Sequence, residues 1–293
     1  MTELTDTRDA LVKRVGCSGA HWMTNEKAEE VQEALWSGFL PLRVQVEDDG
    51  MEGGTALPPL YLQAPRQAPV GAIREQVLHH IGEGFPAGSV AFTFWDTHQV
   101  HLNSNYPVGV VYDLLESGQI PWKLAVKCTR DHQGDEAKDQ FFNALKAASY
   151  AATGSAQHVI TMPTAEANKL WDACKAGDRQ KYKDAAKSFQ GKMENAERFL
   201  VRVFCKRNQN KLDSAGSWWS KQIESKLKVV AVEKEGSMGI MQALKDWLQV
   251  DMDLETARIT VAGIPCPLEL SLGQLWTLLR APDYTLYIVV RWP

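Results

Sequence analysis

Cysteines, histidines and lysines are the residues of this 293-residue chain whose types and spacing could do covalent chemistry. Cys128 and His132 stand four residues apart at the end of a strand-like run. A cysteine nucleophile needs a lowered thiol pKa and a base held in line by a third group. No Asn or Asp in a recognisable context orients His132, so the pair reads as structural. His98 and His101 lie close together, with His79 and His80 upstream. Zinc needs three or four converging ligands and a supporting shell. Two histidines on a strand turn do not supply that, so they read as exposed loop residues, and neither metal nor cofactor is expected. Cys17, Cys128, Cys174, Cys205 and Cys266 are odd in number, and none forms a Cys-x-x-Cys pair. Neither a disulfide framework nor a zinc knuckle follows, and a reducing, cytoplasmic compartment is expected. With no complete set of nucleophile, base and orienting group, the chain is expected to turn over no substrate of its own.

A second group is non-covalent. Lys206, Arg207 and Lys211 precede Trp218 and Trp219 in one polar stretch. Basic side chains beside tryptophans suit an anionic phospholipid surface. A solvated loop with its tryptophans folded back uses the same residues. Nucleic acid is the poorer partner: residues 1–134 carry 17 acidic against 10 basic side chains, and phosphate binding wants the reverse. Hydrophobic content of 44% and charged content of 23% describe a globular chain, and no apolar run reaches the ~20 residues that span a bilayer.

The elements that must position these residues fall into blocks. Residues 1–25 read as a loosely held extension, and residues 26–38 as a helix with Ala28, Val31, Leu35 and Trp36 on its apolar face, ended by Gly38. Residues 39–130 alternate as strands at Phe39–Val46, Leu57–Gln63, Val90–Trp95 and Val100–Leu102, with a helix predicted over Val70–Ile81. Tyr106 to Leu115 then gives a turn and a short helix. Pro107 sits in its first turn, and Val110, Val111, Leu114 and Leu115 form one apolar stripe. Pro121 stops it, and a strand runs from Trp122 to Val126. Residues 135–193 lose the strand signals. Helices are predicted over Asp135–Ala152, Thr164–Ala176 with Thr164 as N-cap and Gly177 as C-cap, and Asp178–Phe189 ended by Gly191. Residues 197–293 return to the first pattern. Strands are predicted over Phe199–Cys205, Lys226–Val232, Arg258–Ala262 and Thr285–Val290, with a helix capped by Ser237 running to Leu248. Gly273-Gln274-Leu275-Trp276-Thr277-Leu278-Leu279 repeats the Gly-x-x-aromatic-x-Leu-Leu pattern that begins at Gly109. Two copies of one unit imply two related domains. The fold expected is α+β: two ubiquitin-like β-grasp domains flanking a small helix-rich domain, with an N-terminal helix.

Trp36, Gly38 and Pro41 make a Trp-x-Gly-x-x-Pro pattern, and Pro65-Arg66 follows the second strand. With the Tyr106–Leu115 stretch and Pro121-Trp122, these residues resemble the autophagy protein five family. Tyr106, Pro107, Gly109, Asp113 and the Leu-Leu pair, with Pro121-Trp122 downstream, match its longest signature. The resemblance implies a scaffold rather than a catalyst. One lysine of the helical domain would be joined to the C-terminal glycine of the ubiquitin-like autophagy protein twelve, with E2-like conjugating enzymes delivering it. A coiled-coil partner, autophagy protein sixteen, would dock across the domains. The complex would act as a ubiquitin-ligase component in lipidating a second ubiquitin-like protein, recruited from the cytoplasm to the pre-autophagosomal membrane. An unconjugated module that merely bridges partners is the alternative.

The same carry-over assigns the acceptor to Lys146, in Phe141-Phe142-Asn143-Ala144-Leu145-Lys146. The residues agree with it. Phe141, Leu145, Ala148 and Ala152 make the stripe expected to be buried, and Lys146 lies ~100° round the helix from Leu145. It belongs at the edge of that stripe, stem packed and amine in water. A carboxylate one turn away holds a lysine in its charged form. Lys138, Lys169, Lys175, Lys181 and Lys187 have one in sequence, whereas Lys146, Lys183 and Lys192 do not.

Overall fold

The computed structural model describes residues 25–47, 57–82, 91–96, 100–115, 118–129, 136–194, 196–206, 223–231, 237–248, 254 and 256–292. Helix α1 (Asn25–Trp36) leads into the first sheet. That sheet is built from β1 (Phe39–Glu47), β2 (Leu60–Pro65), β3 (Ala91–Asp96), β4 (His101–Leu102) and β5 (Trp122–Thr129), in spatial order β2-β1-β5-β3-β4. β1 and β5 run parallel, and every other pairing is antiparallel. Strand alternation sets the register: Leu42 pairs with Trp122, Val44 with Leu124 and Val46 with Val126, all on the core face.

Between β2 and β3 the predicted Val70–Ile81 helix divides into a 3-10 turn, Val70–Ile73, and α2, Arg74–Ile81. The cause is local. The Val70 and Gly71 N–H groups donate to the carbonyls of Tyr106 and Ser104 at 3.0 and 2.8 Å. Gly71 also lies so close to the helical domain that a Cβ there would sit 2.6 Å from that of Ala137. The second strand starts three residues later than predicted, at Leu60.

The helical domain holds α4 (Glu136–Thr153), α5 (Gln157–Ile160), α6 (Thr164–Ala176) and α7 (Arg179–Glu194), numbered after α3 (Val108–Leu115). The short α5 carries no sequence signal. Thr164 is inside α6 rather than its cap. Pro163 precedes it with extended backbone, and its carbonyl accepts from Glu166 and Ala167. Gly177 is the left-handed C-cap expected, at φ +68. α7 runs through Gly191 because that glycine is on the exposed side and Met193, 1% exposed, anchors the turn beyond it.

The second sheet repeats the first. Its strands are β6 (Arg198–Lys206), β7 (Ile223–Ala231), β8 (Arg258–Val261), β9 (Ile264–Pro265) and β10 (Thr285–Arg291), in order β7-β6-β10-β8-β9 with β6 and β10 parallel. α8 (Ile240–Leu248) begins after Gly239, three residues beyond Ser237, so Ser237 is not its cap. α9 (Leu272–Leu279) has a capping box instead: Gln274 N–H donates to the Ser271 hydroxyl, and the Gln274 side chain accepts the Ser271 N–H. Gly109 and Gly273 thus open equivalent helices before equivalent central strands. The chain folds as two ubiquitin-like β-grasp domains flanking a helical bundle.

The two copies are not used alike. α3 has apolar side chains on two faces rather than one stripe. Val108, Val111 and Leu115 point into the first sheet's own core. Val110 and Leu114 pack instead on Phe204, Tyr287 and Val289, on the outer face of the second sheet. The centre of that sheet is covered on both sides, and every residue of β10 is buried. Tyr112 is only partly buried, edge-on to Trp122 at 5.5 Å.

Candidate conjugation site and the junction between the sheets

On α4, Phe141, Leu145, Ala148 and Ala152 are buried in the common core, as the periodicity predicts. Lys146 is half-buried at the edge of that stripe, and among the described residues its amine has neither an ion pair nor a hydrogen bond. Its neighbours one turn away are Phe142, Asn143, Ser149 and Tyr150, none of them acidic.

The other lysines of the bundle are tied down or acid-flanked. Lys175 pairs with Glu75 at 2.6 Å and Asp172 at 3.1 Å, Lys181 with Asp178 at 2.9 Å, and Lys187 with Asp184 at 2.8 Å. Lys138 donates to Asn168 at 2.7 Å. Lys183 and Lys192 are not free as the local sequence suggests. Lys183 bonds Glu29 of α1 at 2.8 Å, and Lys192 meets His158 at 2.9 Å. Both partners are distant in sequence, which is why spacing along one helix misses them. Lys169 is exposed and has no ion pair, but Glu166 and Asp172 lie one turn to either side.

The motif residues converge elsewhere, on Arg66. Its N–H donates to the Gly38 carbonyl, and its own carbonyl accepts the Gly109 N–H, both at 2.9 Å. Its guanidinium donates to Asp113 at 2.6 Å, a pair with 18% and 10% of its side-chain surface exposed. The same group reaches the second domain: a Cβ on Gly263 would fall 2.3 Å from Arg66 Nη2. Gly263 holds φ +89, which a side chain would also resist. Pro65 and the Trp36 carbonyl abut Gly177 of the helical domain, at 3.1 and 3.4 Å from the position of its absent Cβ. Trp36 itself tilts against Tyr182 at 4.9 Å. Pro41 lies in β1, Pro107 bridges to Pro69, Pro121 follows a cis peptide bond, and Trp122 is fully buried.

Tyr106 extends the junction. Its ring stands edge-on to Phe204 at 4.8 Å, and its hydroxyl accepts from Arg202 at 3.3 Å. Behind it the buried Asp283 accepts from the Tyr287 hydroxyl and, at 3.0 Å, from the Thr285 N–H. Burial pushes the Asp283 carboxyl above its ordinary value, against the lowering pull of the Tyr287 bond. Arg66 and Asp113 are each marked in sequence by a family motif, but nothing in sequence pairs them across 47 positions, and nothing marks the Tyr287–Asp283 link.

The remaining sites are scattered. His80 bonds the Pro58 carbonyl at 2.8 Å, and the His101 ring meets Trp95 edge-on at 5.1 Å. Cys174 and Cys266 are buried free thiols, the latter pushed by burial up to about 12. Lys206 ends β6, its amine 3.4 Å from the Leu115 carbonyl at the end of α3. Arg207, Lys211, Trp218, Trp219, His98, His132, the Cys128 side chain and residues 1–24 lie outside the described residues. No described helix is long and apolar enough to cross a membrane.

Family models described as "Autophagy protein ATG5, UblA domain", "alpha-helical bundle region" and "UblB domain" match residues 35–128, 134–190 and 198–290. Autophagy protein 5 of Oryza sativa subsp. indica is 26% identical over 162 residues, 52% of this chain and 42% of that protein. That of Emericella nidulans is 24% identical over 177 residues, 50% of this chain and 53% of that protein. The chain thus spans about half the length of these relatives. Autophagy protein 5 of Chaetomium globosum is 20% identical over 93% of both chains. The crystal structure of Kluyveromyces marxianus Atg5 shares the fold, with a TM-score of 0.65 at 18% identity, over 89% of this chain and 99% of that one.

Proposed function

Because the chain belongs to the autophagy protein 5 family, we propose that it is a non-catalytic scaffold of the autophagy conjugation machinery, modified covalently at Lys146. The modifier is the ubiquitin-like autophagy protein twelve, delivered by E2-like enzymes. The coiled-coil autophagy protein sixteen binds the assembled domains. The resulting complex promotes lipidation of a second ubiquitin-like protein on the pre-autophagosomal membrane. The stretch holding Lys206, Arg207, Lys211, Trp218 and Trp219 is assigned to peripheral contact with that membrane.

One observation carries the acceptor assignment. Among the described lysines of the bundle, Lys146 alone lacks both a bonding partner and a flanking carboxylate. An acceptor amine must reach a thioester carbonyl in its neutral form. A free lysine has a pKa of ~10.4, so the incoming enzyme must accept a proton. The neutral Nζ then attacks the carbonyl, the N–C bond forms as the C–S bond breaks, and the thiolate leaves. The nitrogen gives up one further proton as the amide is completed. A carboxylate beside the amine would oppose the first of these steps.

The test is Lys146→Arg with the purified conjugation enzymes, read by mass shift on a denaturing gel. Loss of the shifted band is expected. A conjugate at wild-type yield would remove Lys146 and bring Lys169 forward. Complete absence of any shifted band from the unaltered chain would favour the bridging module.

A further inference from the structure

Tyr150 lies one helical turn beyond Lys146 on α4 and is 66% exposed. Among the described residues its ring touches no other ring and its hydroxyl bonds nothing. Phe142, one turn before the lysine, is anchored by contrast: it stands edge-on to Phe141 at 5.3 Å and packs on the core. Residues four apart on a helix bring their Cβ atoms to about 5–6 Å. A body that brings a thioester carbonyl to Lys146 Nζ therefore comes within side-chain reach of Tyr150. Lys169 has no such neighbour; the residues one turn from it are Ala165, Glu166, Asp172 and Ala173.

We propose that Tyr150 is the docking contact for the enzyme that carries the modifier as a thioester, and that this contact selects Lys146 among the lysines of the bundle. The inference rests on Lys146 as acceptor. Tyrosine suits the role because it brings a large rigid apolar face with a polar tip, the combination enriched where association energy concentrates. Tyr150 takes no part in the bond-forming step. It is a positioning residue, and its loss acts on enzyme capture rather than on the chemistry.

The experiment follows the initial rate of conjugation of the full chain against the concentration of charged conjugating enzyme. Tyr150→Ala is expected to raise the half-saturating concentration about tenfold while leaving the saturated rate within about twofold of wild type. Tyr150→Phe keeps the ring and should behave as wild type. Tyr61→Ala removes an equally exposed ring, 64% accessible, from the first sheet and should change nothing. Binding of the uncharged enzyme should weaken with Tyr150→Ala in parallel. An unchanged half-saturation would overturn the proposal. So would weakened capture of charged enzyme alone, since the modifier's own body would then cover Tyr150. If Lys146→Arg still conjugates at wild-type yield, the acceptor assignment falls and the docking contact with it. If Lys146→Arg abolishes the conjugate while Tyr150→Ala is silent, only the docking contact falls.

Discussion

Leu114→Ala separates the two roles of α3. Leu114 is fully buried, yet its neighbours Phe204, Tyr287 and Val289 belong to the second sheet. Leu115, 5% exposed on the adjacent face, belongs to the first. Truncating leucine to alanine removes three carbons, worth about 2–3 kcal/mol of transfer at ~0.8 kcal/mol per methylene. A rigid cavity adds to that, and buried Leu→Ala changes cost roughly 2–5 kcal/mol. The aromatic walls at Leu114 leave little room to collapse, so about 3–4 kcal/mol is expected there. The location of the loss matters more than its size. Leu114→Ala should weaken the contact between the sheets and leave each core intact. Denaturant unfolding should then split into two transitions, and amide exchange should quicken in β10 and on the outward turns of α3 while β1 and β5 stay protected. Leu115→Ala should instead lower the first domain's own transition. A single unshifted transition for Leu114→Ala, or a loss below ~1 kcal/mol, a value typical of surface changes, would refute the two-faced reading.

The other expectations are narrower. Asp283→Asn tests the buried carboxyl. Because its folded value is raised, the native state keeps the proton as the unfolded chain releases it near pH ~4, so this group's contribution to stability falls as pH rises through that window. Denaturant midpoints across that range should fall for the wild type relative to the asparagine variant, and parallel slopes would sink the idea. Gly263→Ala forces a side chain into φ +89 and against the Arg66 guanidinium, and should cost about 1–3 kcal/mol by denaturation; an unchanged midpoint would mean that Arg66 has room to move away.

Much of the fold is legible because its signals are local. Alternation in Phe39–Glu47, the near-continuous apolar run in Arg198–Lys206, and the repeated helix before each final strand follow from neighbours along the chain. What fails to read through depends on distant partners. The apolarity of Val110 and Leu114 is plain in the sequence, but the sheet that receives them lies some ninety residues on, at Phe204. Lys183 has no acid one turn away on its own helix, and the acid that does bind it, Glu29, is 154 positions away. Gly191 looks like a stop until Met193 is found buried beyond it. Lys146 differs from Lys183 in that no acid among the described residues is brought to it from elsewhere in the fold.

Helix α1 has a consequence for synthesis. Gln32 donates to the Thr277 and Leu278 carbonyls of α9, 245 and 246 positions later, and Glu29 and Glu33 bond Arg179 at 2.5 and 3.2 Å. Val31 and Trp36 are buried in the core shared with the bundle and the second domain. A ribosome adding about 5–20 residues per second delivers Gln32 roughly 12–50 s before the carbonyls that receive it. Tyr182 and Arg179, which meet Trp36, Glu29 and Glu33, come sooner, but until they emerge the first helix has an apolar face and no lasting place to put it. The first ubiquitin-like domain can close within itself as it emerges, but its leading helix is seated last. Early stalling or truncation of the chain therefore leaves that face, with Trp36 on it, as the surface a chaperone would meet.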